Sequence, residues 1–88
     1  MTAKGIAGRI KHYVAVDARF NEDGSITPQA VLWDDGRRFT INATLDRRRA
    51  ASLKTGGDGI RYTVRIGTTV THLYYEDPRW FVEERVPE

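Results

Sequence analysis

Few side chains in this 88-residue sequence have the chemistry of a nucleophile or a general base. There is no cysteine, which leaves two serines and two histidines: Ser25, Ser52, His12 and His72. Neither serine stands in a nucleophile-elbow context, and Ser25 falls in a predicted turn. Neither histidine has a carboxylate or a second histidine at a usual ligand spacing. The sequence therefore predicts a protein that is not an enzyme, with no catalytic residue, no bound metal and no cofactor.

The basic residues of this chain are mostly arginines, and they are concentrated in the middle of the sequence. Residues 35–65 carry eight basic and three acidic side chains, whereas residues 66–88 carry two basic and five acidic ones. Eleven of the fourteen basic residues are arginine, which binds carboxylate and phosphate groups in a bidentate manner and stacks on aromatic rings. A basic centre of this kind favours an anionic partner, although the acidic end of the chain offers a complement within one chain or between two.

The densest basic segment is LDRRRAASLKTGGDG, residues 45–59. Its glycines follow the lysine instead of preceding it, so the segment is not a phosphate-binding P-loop. Residues 47–54 form a predicted helix of one or two turns, with Asp46 as its N-cap and Gly56 as its C-cap. Because three consecutive residues spread around a helix, the three arginines of this helix are not expected to face one phosphate backbone together.

Three segments alternate apolar and polar residues with a period of two: 10–20, 38–45 and 60–66. Such alternation is typical of antiparallel strands with one buried face and one solvated face. In the second segment the residues on the apolar face are Phe39, Ile41, Ala43 and Leu45. Pro28 lacks an N–H donor, so the strand that contains it is expected to begin or to bulge there.

Four turn signals then predict how the strands pair: NEDGS around Gly24, Asp35–Gly36, Gly67–Thr68 and Asp77–Pro78. The predicted cross-strand pairs are Phe20–Ile26, Val16–Ala30, Val14–Leu32, Leu32–Phe39, Ala30–Ile41, Ile60–Tyr75, Tyr62–Leu73, Tyr75–Trp80 and Leu73–Val82. Every pair sets apolar against apolar, and this agreement favours a six-stranded meander. The length of 88 residues predicts one domain, residues 1–88. The predicted fold is all-β: a six-stranded antiparallel meander curled into a small SH3-like or OB-like barrel, with a short helix between strands three and four.

The same register brings aromatic residues and arginines together on the outer face of the predicted sheet. Tyr74 falls opposite Phe81 with Arg61 beside it, and Trp33 falls opposite Arg38 as a cation–π pair. Aromatic side chains flanked by arginines are typical of surfaces that bind single-stranded nucleic acid. The candidate binding residues are Arg38, Arg48, Lys54 and Arg61 for phosphates, with Trp33, Tyr74 and Phe81 for stacking.

These residue types are equally typical of protein interfaces and of packing between strands. The leading hypothesis is a non-catalytic binding module whose partner is single-stranded nucleic acid. The alternative is a protein–protein interaction or self-associating module, a homodimer included, in which the acidic last strand meets a basic edge.

No stretch of the chain approaches the roughly 18 apolar residues that a membrane-spanning helix needs. The first residues, MTAKGIAGRIKHY, contain no apolar core of a signal peptide. The sequence therefore predicts a soluble, cytoplasmic protein without a membrane partner.

Three segments resemble a family of small bacterial proteins found in clostridia-like Gram-positive bacteria: WDDGRRF (33–39), LDRRRAASLKTGGDGIRYTVRI (45–66) and RWFVEE (79–84). The resemblance covers roughly residues 12 to 84. It implies a stand-alone bacterial domain, and it implies no activity and no site residues.

Overall fold

The computed structural model describes residues 9–51 and 58–85, and this part of the chain forms seven β-strands. The strands are β1 (Arg9–Phe20), β2 (Ile26–Leu32), β3 (Arg38–Thr40), β4 (Ala43–Ala51), β5 (Asp58–Ile66), β6 (Thr69–Glu76) and β7 (Arg79–Arg85). They make one antiparallel sheet in the order β3-β2-β1-β7-β6-β5-β4. The sheet is curled into a half-barrel.

The curl depends on β1, which is long enough to pair with two neighbours. Its first half, from Arg9 to Val14, pairs with β7, and its second half, from Ala15 to Phe20, pairs with β2. At the far ends of the sheet, the two-residue connection between β3 and β4 ties the edges together. The N–H of Ile41 donates to the carbonyl of Gln29 in β2, and the N–H of Asn42 donates to the carbonyl of Arg65 in β5 (2.9 and 2.8 Å).

One face of the curled sheet carries the main hydrophobic cluster, formed by Val31, Tyr62, Val64, Leu73 and Trp80. Burying each such side chain contributes roughly 1.5–3 kcal/mol. Tyr62 is 1% exposed, and its hydroxyl donates to the carbonyl of Ile26 in β2 (2.9 Å). This bond satisfies the buried phenol and joins two parts of the sheet that are not neighbours in strand order.

The predicted all-β fold and the antiparallel curled sheet are confirmed, but the prediction of six strands is wrong. The predicted strand over 38–45 is interrupted at Ile41 and Asn42, because the N–H groups of these two residues bond to different strands. The chain therefore enters a new strand, β4, at Ala43.

The predicted helix after this strand is also wrong wherever the structure describes it. Residues 47–51 belong to β4 and pair with β5, from Arg47 opposite Tyr62 to Ala51 opposite Asp58. Pairing with an apolar neighbouring strand outweighs a weak local helix preference. The rest of the predicted helix, Lys54 included, and the predicted cap Gly56 lie outside the described residues.

The predicted registers of three hairpins are confirmed at their turns. Phe20 lies opposite Ile26, Tyr62 opposite Leu73, and Tyr75 opposite Trp80. The first turn requires the left-handed backbone at Gly24 (φ 89°), which a side chain would disfavour. Ile60–Tyr75 is confirmed as well.

The predicted pairs Val16–Ala30 and Val14–Leu32 are each wrong by one residue. Gln29 is an extra residue in β2, so Val16 lies opposite Val31 and Ala15 opposite Leu32. The bulge falls next to Pro28, as the missing N–H predicts.

The β2–β3 turn also differs from the prediction, because its loop holds three residues instead of two. The N–H of Trp33 donates to the carbonyl of Arg37 (2.8 Å), and Gly36 takes the left-handed conformation (φ 91°). Consequently Phe39 lies opposite Val31, and Arg38 lies opposite Leu32. The predicted pairs Leu32–Phe39 and Ala30–Ile41 are therefore wrong by one residue.

Candidate nucleic-acid interface

A single row of side chains crosses five strands on the face of the sheet opposite the main hydrophobic cluster, which we call the outer face. The cross-strand partners are Arg48 and Arg61, Arg61 and Tyr74, Tyr74 and Phe81, and Phe81 and Tyr13. We call these five residues the outer row. It begins with two arginines at the β4 edge of the sheet and ends with three aromatic rings on β6, β7 and β1.

A β-bulge in β4 decides which arginines join this row. Thr44 lies opposite Val64 and Asp46 lies opposite Thr63, which leaves Leu45 without a partner. The extra residue changes the alternation, so Asp46 and Arg48 point to the outer face. Leu45 is exposed (53%), contrary to its predicted place on the apolar face.

The aromatic end of the outer row is a packed cluster. The rings of Tyr74 and Phe81 stack with centroids 4.9 Å apart and an interplanar angle of 3°, and Tyr13 meets Phe81 edge-on at 5.7 Å. The Lys11 ammonium lies 4.7 Å from the Phe81 ring centre. Phe81 is consequently only 4% exposed. It packs against one face of the Tyr74 ring, and its own ring is not accessible to a base.

Glu76 lies beside this cluster and forms an ion pair with Lys11. Its carboxylate accepts hydrogen bonds from the Lys11 ammonium (2.7 Å) and from the Tyr13 hydroxyl (2.8 Å). These two bonds lower the pKa of Glu76 below its usual value. The guanidinium of Arg79 covers the Tyr13 ring at 3.8 Å. This end of the row is therefore a closed structural contact.

At the basic end of the outer row, the two arginines Arg48 and Arg61 lie near one carboxylate, that of Asp46. Arg48 is exposed, and its Nε donates to the Asp46 carboxylate (2.6 Å). That hydrogen bond is the main cause of the lowered pKa of Asp46. Arg61 is half-buried, and its Nε is buried without a hydrogen-bond partner in the part of the chain that the structure describes.

Three further arginines extend this basic edge. Arg47 and Arg49 lie opposite Tyr62 and Ile60 on the other face of β4, and both are exposed because β4 is the last strand of the sheet. Arg65 is exposed on the outer face of β5, with Nη1 donating to the carbonyl of Gly67 (3.1 Å). The edge therefore presents guanidinium groups on both sides of the sheet.

The structure brings together four of the seven predicted site residues: Arg48, Arg61, Tyr74 and Phe81. Trp33 and Arg38 lie elsewhere, on the β2–β3 hairpin. Their predicted cation–π pairing is wrong, because Trp33 packs against the rings of His12 (4.6 Å) and Phe39 (6.5 Å), while Arg38 forms an ion pair with Asp17. Lys54 lies outside the described residues.

Sequence reasoning missed the contacts of His12. Its Nε2 lies 2.9 Å from an Asp34 carboxylate oxygen, and its Nδ1 lies 3.0 Å from a Glu84 oxygen. Hydrogen bonding to Glu84, and then to Asp34, raises the pKa of His12. Both ring nitrogens lie within hydrogen-bond distance of carboxylates, so His12 ties β1 to Asp34 and to Glu84 of β7. No sequence pattern predicts Asp34 and Glu84 as partners of His12, because they are 22 and 72 positions away in the chain.

A groove of about 400 Å³ lies where β2 approaches the connection between β3 and β4. Its polar lining includes Thr27, Gln29, Asn42 and Thr44. No histidine or carboxylate lines this groove among the described residues.

Comparison of the chain with protein-family models, with curated proteins and with solved structures gave no match. The resemblance to small clostridia-like proteins stays a prediction. Within residues 9–51 and 58–85 there is no helix of the length and apolarity required to cross a membrane.

Proposed function

We propose that this protein is a non-catalytic binding module for single-stranded nucleic acid, and that the ligand contacts the basic end of the outer row. The observation that carries the proposal is the adjacency of Arg48, Arg61 and Tyr74 on three neighbouring strands. Two guanidinium groups for phosphates therefore stand directly beside an aromatic side chain. This combination is what proteins that bind single strands use.

The distribution of charge supports the same surface. β4 and β5 together contain five arginines, against the two carboxylates of Asp46 and Asp58. β7, two strands from β5 and three from β4 in the sheet, contains two arginines and two glutamates. A polyanion is therefore attracted to one edge of the sheet, and its approach is favoured at low ionic strength.

A single strand fits this surface better than a duplex does. Tyr74 is the partly exposed aromatic residue next to the arginines, and stacking on it requires a base that is not already paired. The neighbouring strands are spaced by about 4.8 Å, so the two arginines and the tyrosine span roughly 10 Å. Contacts over so short a span predict modest affinity that rests mainly on phosphates.

The test is fluorescence anisotropy of a labelled single-stranded oligonucleotide, titrated with the protein at several salt concentrations. We expect the oligonucleotide to bind at low salt. The logarithm of the association constant should fall linearly with the logarithm of the salt concentration, with a slope of about −0.7 for each phosphate contact. A duplex of the same length serves as the control and is expected to bind more weakly. Absence of binding at low salt, or binding that salt does not weaken, contradicts the proposal.

A second candidate function, self-association, is favoured by a separate observation. In the described part of the sheet, no strand pairs with the outer edge of β4, and Leu45 on this strand is exposed. An unpaired edge is a template for another chain, although the bulge and the arginines are features that usually discourage such pairing. Sedimentation at low and high salt separates the two candidates, because a monomer under both conditions excludes a self-associating module.

A further inference from the structure

Arg48 and Arg61 lie directly opposite each other on adjacent strands, and both project from the outer face. Side chains at directly opposed positions have their Cβ atoms about 4.5–5.5 Å apart, and like charges placed there repel. An arrangement that brings two cations together gains stability when an anion binds both. The pair therefore has the spacing of a site for one anionic group.

The contacts of the two side chains support this reading. The Asp46 carboxylate contacts Arg48 through Nε alone (2.6 Å), whereas a guanidinium has five N–H donors. The Nε–H of Arg61 is buried and, in the described part of the chain, has no acceptor. The other N–H donors of this guanidinium are at Nη1 and Nη2, and an anion from solution would bind Arg61 through these groups.

We propose that Arg48 and Arg61 form one oxyanion site, which takes a phosphate group, and that Asp46 competes with that group for Arg48. Asp46 thereby sets the affinity of the site from within the chain. The inference rests on the proposed function, in which the phosphate belongs to a phosphodiester of a single strand. The chemistry of the site is also that of a free phosphate ion, so the experiment uses both ligands.

The chain contains a matched control for Asp46. Asp35 accepts a hydrogen bond from the Nε of Arg37 (2.7 Å) in the same two-residue spacing, and that pair lies on the β2–β3 hairpin, away from the outer row. Asp35 also accepts the backbone N–H of Arg37 (3.0 Å), and an asparagine side chain can keep that bond. Asp46→Asn and Asp35→Asn therefore remove the same charge from the same kind of side-chain ion pair. Arg37→Gln is the matching control for Arg48→Gln and Arg61→Gln.

Binding of the labelled oligonucleotide is measured for each variant, with thermal unfolding as a check of the fold. Asp46→Asn is expected to tighten binding roughly two- to fivefold relative to Asp35→Asn, which is the fold-change equivalent of one exposed ion pair. Arg48→Gln and Arg61→Gln are each expected to weaken binding about tenfold relative to Arg37→Gln. Each should also reduce the magnitude of the salt slope by about 0.7.

Inorganic phosphate, titrated against ¹⁵N-labelled protein, gives an independent readout. We expect the Nε–H signals of Arg48 and Arg61 to shift with phosphate, and the shift to saturate at a lower concentration in Asp46→Asn. Chloride at equal ionic strength is the control.

The outcomes separate the oxyanion site from the proposed function. Phosphate shifts without oligonucleotide binding leave the site standing and contradict nucleic-acid binding. Oligonucleotide binding that responds equally to Arg48→Gln and Arg37→Gln overturns the site while the function stands. Equal affinities for Asp46→Asn and Asp35→Asn overturn the competition by Asp46.

Discussion

At the scale of single residues, the role of a side chain in this protein is decided by partners from distant parts of the chain. Phe81 has the residue type and the register position of a stacking surface, yet Tyr13 and Lys11 cover its ring. Trp33 is likewise engaged by His12. Arg48 is exposed on the edge strand β4, whereas Arg61, on the next strand, is half-buried.

His12 gives a prediction at this scale. Its folded-state pKa is raised above the ordinary 6.5 by hydrogen bonds to Glu84 and Asp34. A raised pKa means that the stabilisation is complete below pH 6.5 and is lost as pH rises through the folded-state pKa. We expect the melting temperature to fall as pH rises above about 6.5, and His12→Gln to flatten this dependence.

The matched variants for His12 are two neighbouring aspartates. Asp34→Asn removes one carboxylate partner of the imidazolium and should reduce the pH dependence. Asp35→Asn removes the adjacent carboxylate, which pairs with Arg37, and should leave the dependence unchanged. Melting curves from pH 5.5 to 8.5 that are identical for the wild-type protein and His12→Gln contradict this role.

At the scale of elements, alternation and turn chemistry predicted most of the strands, and Pro28 predicted the bulge in β2, whereas the bulge in β4 escaped prediction. The β1–β2 turn and both turns flanking β6 follow from local residues, because a turn depends on backbone conformations that few residue types adopt. The extra residue Leu45 has no local signature of this kind, since its position depends on how β4 and β5 fit each other. One such residue changes the face on which every later side chain lies.

Leu45 provides the test of the bulge in β4. On the predicted regular strand Leu45 lies inward, and Leu45→Ala should then cost about 2–5 kcal/mol of unfolding free energy. In the structure Leu45 is an exposed bulge residue, so we expect a change within about 0.5 kcal/mol. Chemical denaturation measures the difference.

The control for the bulge variant is Leu73→Ala, at a leucine buried in the main cluster. This variant should show the full cost of a core substitution. If Leu45→Ala lowers the unfolding free energy as much as Leu73→Ala does, Leu45 is buried and the bulge at this position is contradicted.

At the scale of the whole molecule, the half-barrel depends on a few contacts that join parts of the sheet not adjacent in strand order. The Tyr62 hydroxyl reaches β2 from β5, and the connection between β3 and β4 bonds to β2 on one side and β5 on the other. These contacts bring β2 and β5 close together, although the two strands are not neighbours in the sheet. In a flat sheet of seven strands they would be far apart.

Tyr62→Phe tests this cross-sheet bond. The substitution keeps the buried ring and removes a hydrogen bond, leaving the Ile26 carbonyl without this donor. We expect a loss of about 1 kcal/mol of unfolding free energy. Tyr75→Phe removes the hydroxyl that bonds to exposed Asp77 and should cost less. Equal stability of Tyr62→Phe and the wild-type protein contradicts a closing role for this bond.

The sequence by itself determined the all-β class, the antiparallel pairing and the register of the hairpins around Gly24, Gly67 and Pro78. These properties are local, because they depend on period-two alternation and on turn residues a few positions apart. The tertiary structure decided that residues 47–51 are a strand, that Leu45 bulges, and that Phe81 is covered while Arg48 and Arg61 stand together. Those outcomes depend on contacts between strands distant in the chain, whose packing free energy outweighs the preferences of any short segment.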